Sequence, residues 1–259
     1  MKYGNISWVT PRAAVELFHL AFLAELGRRI DQRLYAVKGG CNLRFFFKSP
    51  RYSEDLDLDV HTVALATLRK RVTNLLASKP FEVVLASKSL RLARHSAPKQ
   101  TETTQRWKVA LESSAAPASL HTRVEFSRRK ADGGTEFDAV DPVLIAEHGI
   151  PPILATHYTA GAAFAQKVRA LAHRPATQAR DIFDLDLLLR SGHSRLEPGR
   201  IAKQDSETAR VNIESVDFDT FAGQVLAFLP QAEQRAFGNV NAWQDLMGRV
   251  RRALERYPS

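Results

Sequence analysis

The chain has 259 residues, 44% of them apolar and 25% charged, enough to bury a sizeable core in one large domain or two modest ones, as a globular protein does. Its 37 basic side chains against 28 acidic ones give a net charge of +9, which leaves two readings open: a polyanionic partner bound by counterion release, or a merely soluble basic protein. One cysteine, Cys41, excludes an internal disulfide and a cysteine-based zinc cluster; the opening MKYGNISWVT lacks an apolar signal segment and no run approaches the ~18 apolar residues of a membrane span, so a cytoplasmic protein without a membrane partner is expected.

Thr10 before Pro11 reads as an N-cap and first helical position, and Val15, Phe18, Leu23 and Leu26 recur at helical spacing, predicting an amphipathic helix over PRAAVELFHLAFLAELGRRI. LYAVKGG predicts a short strand halted by Gly39 and Gly40, CNLRFFF a helix beginning near Asn42, and LDLDV a second strand. HTVALATLRKRVTNLLASKP has helical periodicity up to Pro80; FEVVLAS and SLRLARH then read as strands, residues 96–105 as a polar loop, and WKVALESS and HTRVEFSRR as strands around a turn at Pro117. Composition changes after DPVLIAEHGIPPIL. AGAAFAQKVRALAHR and ARDIFDLDLLLR read as helices, Ser191 to about Thr208 as a polar linker, and VLAFLPQAEQRAF and AWQDLMGRVRRALERY as helices again. The expected fold is α+β: a mixed sheet with packed helices over residues 1–150, then a helical half over 151–259, with the boundary near Pro151 and Pro152.

The stretch KGGCNLRFFFKSPRYSEDLDLDV, residues 38–60, sets Asp55, Asp57 and Asp59 on one face of a strand and Leu56, Leu58 and Val60 on the other. Adjacent carboxylates repel unless a cation neutralises them. Mg²⁺, which takes one or two carboxylates together with substrate phosphates, is one such cation; nearby Arg and Lys side chains on a solvated strand face are the other. Gly39 and Gly40 between a strand and a helix let backbone N–H groups approach a phosphate at the positive helix end, and Ser53 adds a hydroxyl that either meets the same phosphates or caps a turn.

With these residues in place, KGGCNLRFF followed by RYSEDLDLDV resembles the first motif of the AbiEii/AbiGii (MenT-like) toxin family, in the DNA polymerase β-type nucleotidyltransferase superfamily. AQKVRALAHRPATQARDIFDLDLLL resembles its second region, a Lys-bearing helix followed by an Arg-Asp-x-x-Asp helix, and the resemblance spans roughly residues 35–190. It implies a nucleotidyltransferase-type fold and a helical part completing the active site. Asp55 and Asp57 are then expected to hold catalytic Mg²⁺ or Mn²⁺, and Lys38, Gly39, Gly40, Arg44 and Ser53 to meet the nucleoside triphosphate. Lys167 is expected on phosphate, and Asp181 completes the catalytic set. Glu125 in TRVEFS is the candidate third metal carboxylate, with an ordinary cross-strand Glu–Arg pair as its alternative. Asp184, three residues after Asp181, either joins the site or pins two helices together through arginine.

What the resemblance implies about function is a toxin of a toxin–antitoxin or phage-defence system that transfers a nucleotide from a triphosphate to the 3′ end of tRNA, with a cognate antitoxin as partner. The alternatives are a non-catalytic protein that binds nucleic acid or an antitoxin, and a nucleotidyltransferase or kinase acting on a protein hydroxyl. Four basic clusters give independent support for an RNA acceptor, each with a plain solvated face as its alternative: Arg28, Arg29 and Arg33; Lys88, Arg91, Arg94 and Lys99; Arg128, Arg129 and Lys130; and Arg249, Arg251 and Arg252.

Overall fold

The computed structural model describes residues 10–114, 116–128, 134–191 and 200–256. The chain divides into two compact units: residues 1–37, 53–130 and 137–156 form the first, and residues 38–52, 131–136 and 157–259 the second. The fold is a mixed α/β arrangement built on a seven-stranded sheet of order β3-β4-β5-β2-β1-β7-β6. Its strands are β1 (Tyr35–Lys38), β2 (Leu56–Val60), β3 (Leu90–Gln100), β4 (Thr104–Ser113), β5 (Ala116–Ser127), β6 (Thr135–Ala139) and β7 (Leu154–Tyr158). β3, β4 and β5 run antiparallel as a meander, and β2 joins β5 in parallel.

In the first unit, α1 (Pro11–Gly27) starts as the sequence predicts: the Thr10 hydroxyl accepts from the Ala13 N–H at 3.2 Å, and Pro11 occupies the first turn. α1, α3 (Leu65–Leu76) and α4 (Lys79–Ala86) pack on one face of the meander. Leu56 and Leu58 of β2, Val124 and Phe126 of β5, and Trp107, Val109 and Leu111 of β4 are buried there with Phe18, Phe22 and Phe81. Each such large side chain contributes about 1.5–3 kcal/mol by leaving water. Trp107 donates its indole N–H to Thr73 Oγ1 at 3.2 Å. Its task is therefore packing.

Two segments correct the sequence reading. FEVVLAS is not a strand but the body of α4: Pro80 sits in the helix's first turn, and Phe81 and Leu85, four apart, are both buried while Val83 points to solvent. The β-branched pair Val83–Val84 imitates a strand, but the four-residue spacing of the large apolar residues decides. Residues 96–105 are not a loop either; β3 runs on to Gln100, and Thr101 closes a tight hairpin onto Thr104. β3 lies at the sheet edge, where Pro98 is tolerated and the register shifts between Ser96 and Lys99. Pro117, expected in a turn, begins β5 near its hairpin end. α5 (Pro142–His148), β6 and β7 occupy the stretch where the sequence signalled only a change of composition.

The second unit contains α2 (Gly39–Phe46) and the helices α6 (Ala160–His173), α7 (Ala179–Arg190), α8 (Lys203–Ile213), α9 (Phe218–Gln224), α10 (Gln231–Phe237) and α11 (Val240–Glu255). α6, α7, α8 and α11 pack around Phe164, Val168, Ile182, Phe183 and Trp243, and Phe221 stacks on Trp243 with ring centroids 4.4 Å apart. Part of the expected linker is helical, since α8 begins at Lys203; residues 192–199 of it lie outside the described residues. Cys41 is a free, buried thiol. Among the described residues no helix is long and apolar enough to cross a membrane.

Candidate active site

β2 carries the acids in the alternation the sequence predicts. Leu56, Leu58 and Val60 face the core, Asp55 and Asp57 are half-buried, and Asp59 is buried. The parallel register sets Asp57 opposite Glu125 and Asp59 opposite Ser127. Arginines from the neighbouring strands offset the crowded negative charge: Arg123 pairs with Asp55 at 2.8 Å and Arg106 with Glu125 at 2.6 Å. The cross-strand Glu–Arg pair is thus present. Asp55, Asp57 and Glu125 all carry carboxylate oxygens, the ligand type that suits Mg²⁺ or Mn²⁺.

The approach to this strand is fixed by a buried relay. Thr122 Oγ1 donates to the Glu54 carbonyl at 2.7 Å, and His19 Nε2 lies 2.7 Å from the same hydroxyl, so His19 is the Nε2–H tautomer and donates. Ser53 Oγ donates to the Asp55 carbonyl at 2.9 Å. Burial lowers the His19 pKa to about 4 although Glu16 pulls it upward, so the ring stays neutral. Because the folded value lies below the ordinary 6.5, this group's contribution is complete above pH 6.5 and is lost as pH falls towards 4. Acidification from pH 7 to pH 5 should cost about 2 kcal/mol through this group. In His19→Gln, which keeps a donor without a titrating ring, urea unfolding should show that much less sensitivity over the same interval.

In the second unit α2 begins at Gly39 itself, three residues before the predicted start near Asn42. Gly39 has φ +65°, a left-handed conformation that explains the glycine, and the first backbone N–H groups of the helix follow directly. Asn42 anchors the helix: its amide donates to the Tyr158 carbonyl at 2.9 Å, and its oxygen accepts from His157 Nδ1 at 2.9 Å. The His157 ring stacks on Phe46 at 3.7 Å. Tyr158 is buried in this anchor. Arg44 donates to the Ser49 carbonyl at 2.9 Å and lies over the Tyr52 ring, which gives it the work of shaping the 47–52 segment.

The same unit brings Lys167 of α6 to Asp181 and Asp184 of α7, at 2.9 and 2.6 Å. Arg51 reaches both oxygens of Asp184, at 3.3 and 3.1 Å, and Arg174 lies 3.3 Å from Asp181. Both aspartates are wholly buried. Burial alone would neutralise Asp184, but Arg51 and Lys167 outweigh it and hold its pKa below the ordinary range. Burial likewise disfavours charged Lys167, yet Asp181 and Asp184 raise its pKa. Asp184 is therefore a full member of the Lys167 network. Arg51, Arg106, Arg123 and Arg174 are the residues that sequence reasoning missed; Arg51 sits in SPRYSED, where nothing distinguishes it from a surface arginine.

All four basic clusters lose members to internal bonds; in the second, Lys88 donates to the Gly149 carbonyl at 2.7 Å and Arg91 pairs with Glu112. Arg28 pairs with Glu25 and Arg29 donates to Ser78. Arg128 donates to the Val63 carbonyl and to Gln105, while Arg129 and Lys130 lie outside the described residues. Arg249 grips Asp186 and Arg251 pairs with Glu214.

A family model described as nucleotidyl transferase AbiEii toxin, type IV TA system, matches residues 21–256. Among solved structures, the chain is similar to MenT4, a nucleotidyltransferase toxin from Mycobacterium tuberculosis H37Rv, with 13% identity, a TM-score of 0.60 and coverage of 96% of this chain and 95% of that one. It is also similar to JHP933 from Helicobacter pylori, with 18% identity, a TM-score of 0.56 and coverage of 95% and 94%. No curated protein sequence matches the chain.

Proposed function

The chain belongs to the AbiEii nucleotidyltransferase toxin family of type IV toxin–antitoxin systems, and from that premise we propose that it transfers a nucleoside monophosphate from a triphosphate to the 3′ end of tRNA, in a metal-dependent reaction that blocks translation and is countered by a cognate antitoxin. The observation that carries the reading is the pairing of Asp57 with Glu125 across parallel strands, beside Asp55 on the same strand face. Asp55 and Asp57, with Glu125, hold the divalent ions. Those ions supply charge neutralisation on the transferring phosphoryl group and on the departing pyrophosphate. The backbone N–H groups at Gly39 and Gly40 orient the triphosphate, with Lys38, Arg44 and Ser53 as further nucleotide contacts. Lys167, kept cationic by its two aspartates, stabilises the leaving side, and Asp181 fixes its ammonium.

Incubating the protein with labelled nucleoside triphosphates, Mg²⁺ and total RNA tests the reading. Label in RNA of tRNA size supports it; RNA retarded without label favours a binding protein, and labelled polypeptide favours transfer to a protein hydroxyl. The role of Glu125 has its own test. Arg106→Gln frees this carboxylate from its partner, so the Mg²⁺ concentration for half-maximal activity should fall several-fold if Glu125 is a metal ligand, and stay unchanged if it serves only the cross-strand pair.

A further inference from the structure

The face of β3, β4 and β5 turned away from α1, α3 and α4 is basic, and Arg94, Lys99 and Lys108 on it are exposed. Strand alternation and register set Arg94, Ser96 and Lys99 of β3, Arg106, Lys108 and Ala110 of β4, and His121, Arg123 and Glu125 of β5 on it. Lys99 stands directly opposite Arg106, and Lys108 directly opposite Arg123. Arg106 and Arg123 are offset by Glu125 and Asp55, so in each facing pair the lysine is the cation left to a partner. Arg94, Lys99 and Lys108 are exposed, and among the described residues none has an ion-pair partner.

Two rows cross the sheet from this face to the acids. One runs Lys99, Arg106, Glu125, Asp57, and the other Ser96, Lys108, Arg123, with Arg123 paired to Asp55. Among the described residues the strand positions between these cations on this face carry no large apolar side chain. A protein partner would require an apolar core in its interface, whereas a phosphate backbone requires well-placed cations and tolerates water.

We propose that this sheet face, centred on Arg94, Lys99 and Lys108, is the docking surface for the sugar–phosphate backbone of the RNA acceptor, laid across β3 and β4 so that its reacting end arrives over β2. The inference rests on the transferase reading for its orientation, but not for its binding. Lys108 and Lys99 each neutralise a phosphate, and Arg94 extends the track along the edge strand.

The test is binding of unfractionated tRNA by the full-length protein, without nucleotide and in EDTA, read by fluorescence anisotropy over a salt series. The triple variant Arg94→Glu, Lys99→Glu, Lys108→Glu should bind at least about ten-fold more weakly at 0.1 M salt, with the slope of log K against log salt reduced by about 2 to 3. The control variant Arg69→Glu, Lys70→Glu, Lys203→Glu makes the same change of net charge at exposed sites outside the basic clusters and should bind nearly as the parent does. Equal loss in both variants, no loss in the triple variant, or tighter binding of duplex DNA than of tRNA would overturn the proposal. Asp57→Ala should leave this binding intact. If no labelled nucleotide ever enters RNA but the two variants still separate, the transferase reading fails and the docking surface stands; if label enters RNA undiminished in the triple variant, the docking surface fails and the transferase stands.

Discussion

Asp57→Ala should abolish nucleotide transfer, by about a thousand-fold or more, while leaving thermal stability within about 1 kcal/mol of the parent. The first expectation follows from position: Asp57 is the central carboxylate of the β2 face, flanked by Asp55 on its own strand and opposite Glu125 on β5. Removing a ligand that holds a divalent ion forfeits several kcal/mol of transition-state stabilisation, and each ~1.4 kcal/mol is ten-fold in rate. The second follows from packing. Asp57 is half-buried on the face opposite the Leu56–Leu58 core, so its truncation opens no cavity in that core. Single-turnover transfer with labelled nucleotide, together with a thermal melt of the same preparation, measures both. An active Asp57→Ala protein would remove the metal assignment; an inactive but unfolded one would make Asp57 a structural residue instead.

Much of this arrangement is legible in the sequence, and the parts that are not share a physical cause. The alternation of LDLDV specifies the acidic face because a strand's period is two, and the Thr10–Pro11 cap specifies the start of α1 because both residues act within one turn. The α6 and α7 helices, with Lys167 and Asp181, are likewise written in local periodicity. What escapes is decided at long range. Arg51 meets Asp184 across 133 positions of chain, and the Thr122 hydroxyl meets Glu54 across 68. Nothing local in either segment encodes the contact. The β3 edge escapes for a different reason: its polar residues read as a loop because one face is solvated and basic and Pro98 interrupts the pattern, yet pairing with β4 holds it extended.

Arg51→Met should destabilise the second unit by about 3–5 kcal/mol, the usual consequence of leaving a buried charge without its partner. Asp184 is wholly buried and ionised, with Arg51 on both oxygens and Lys167 2.6 Å away. Without Arg51, Asp184 and Asp181 share Lys167, with Arg174 partly exposed at Asp181. The double variant Arg51→Met, Asp184→Leu removes both charges and should lose less than the sum of the single variants, so a double-mutant cycle by urea unfolding should return a coupling above 1 kcal/mol. The signs of pH dependence differ from that of His19. The depressed pKa of Asp184 gives stability that is present above the ordinary carboxylate value and lost as pH falls through the lower folded one, while the raised pKa of Lys167 gives stability that is complete below the ordinary 10.5 and lost as pH rises through the folded value. The network is therefore at full strength across neutral pH, and stability lost there on mild acidification belongs to His19 alone among these three. Activity separates the two duties of the network. At a temperature where both variants remain folded, Arg51→Met should recover transfer close to the parent level, since Arg51 braces Asp184 and contacts no substrate in the proposed reaction, whereas Lys167→Met should stay inactive because the cation that meets phosphate is gone.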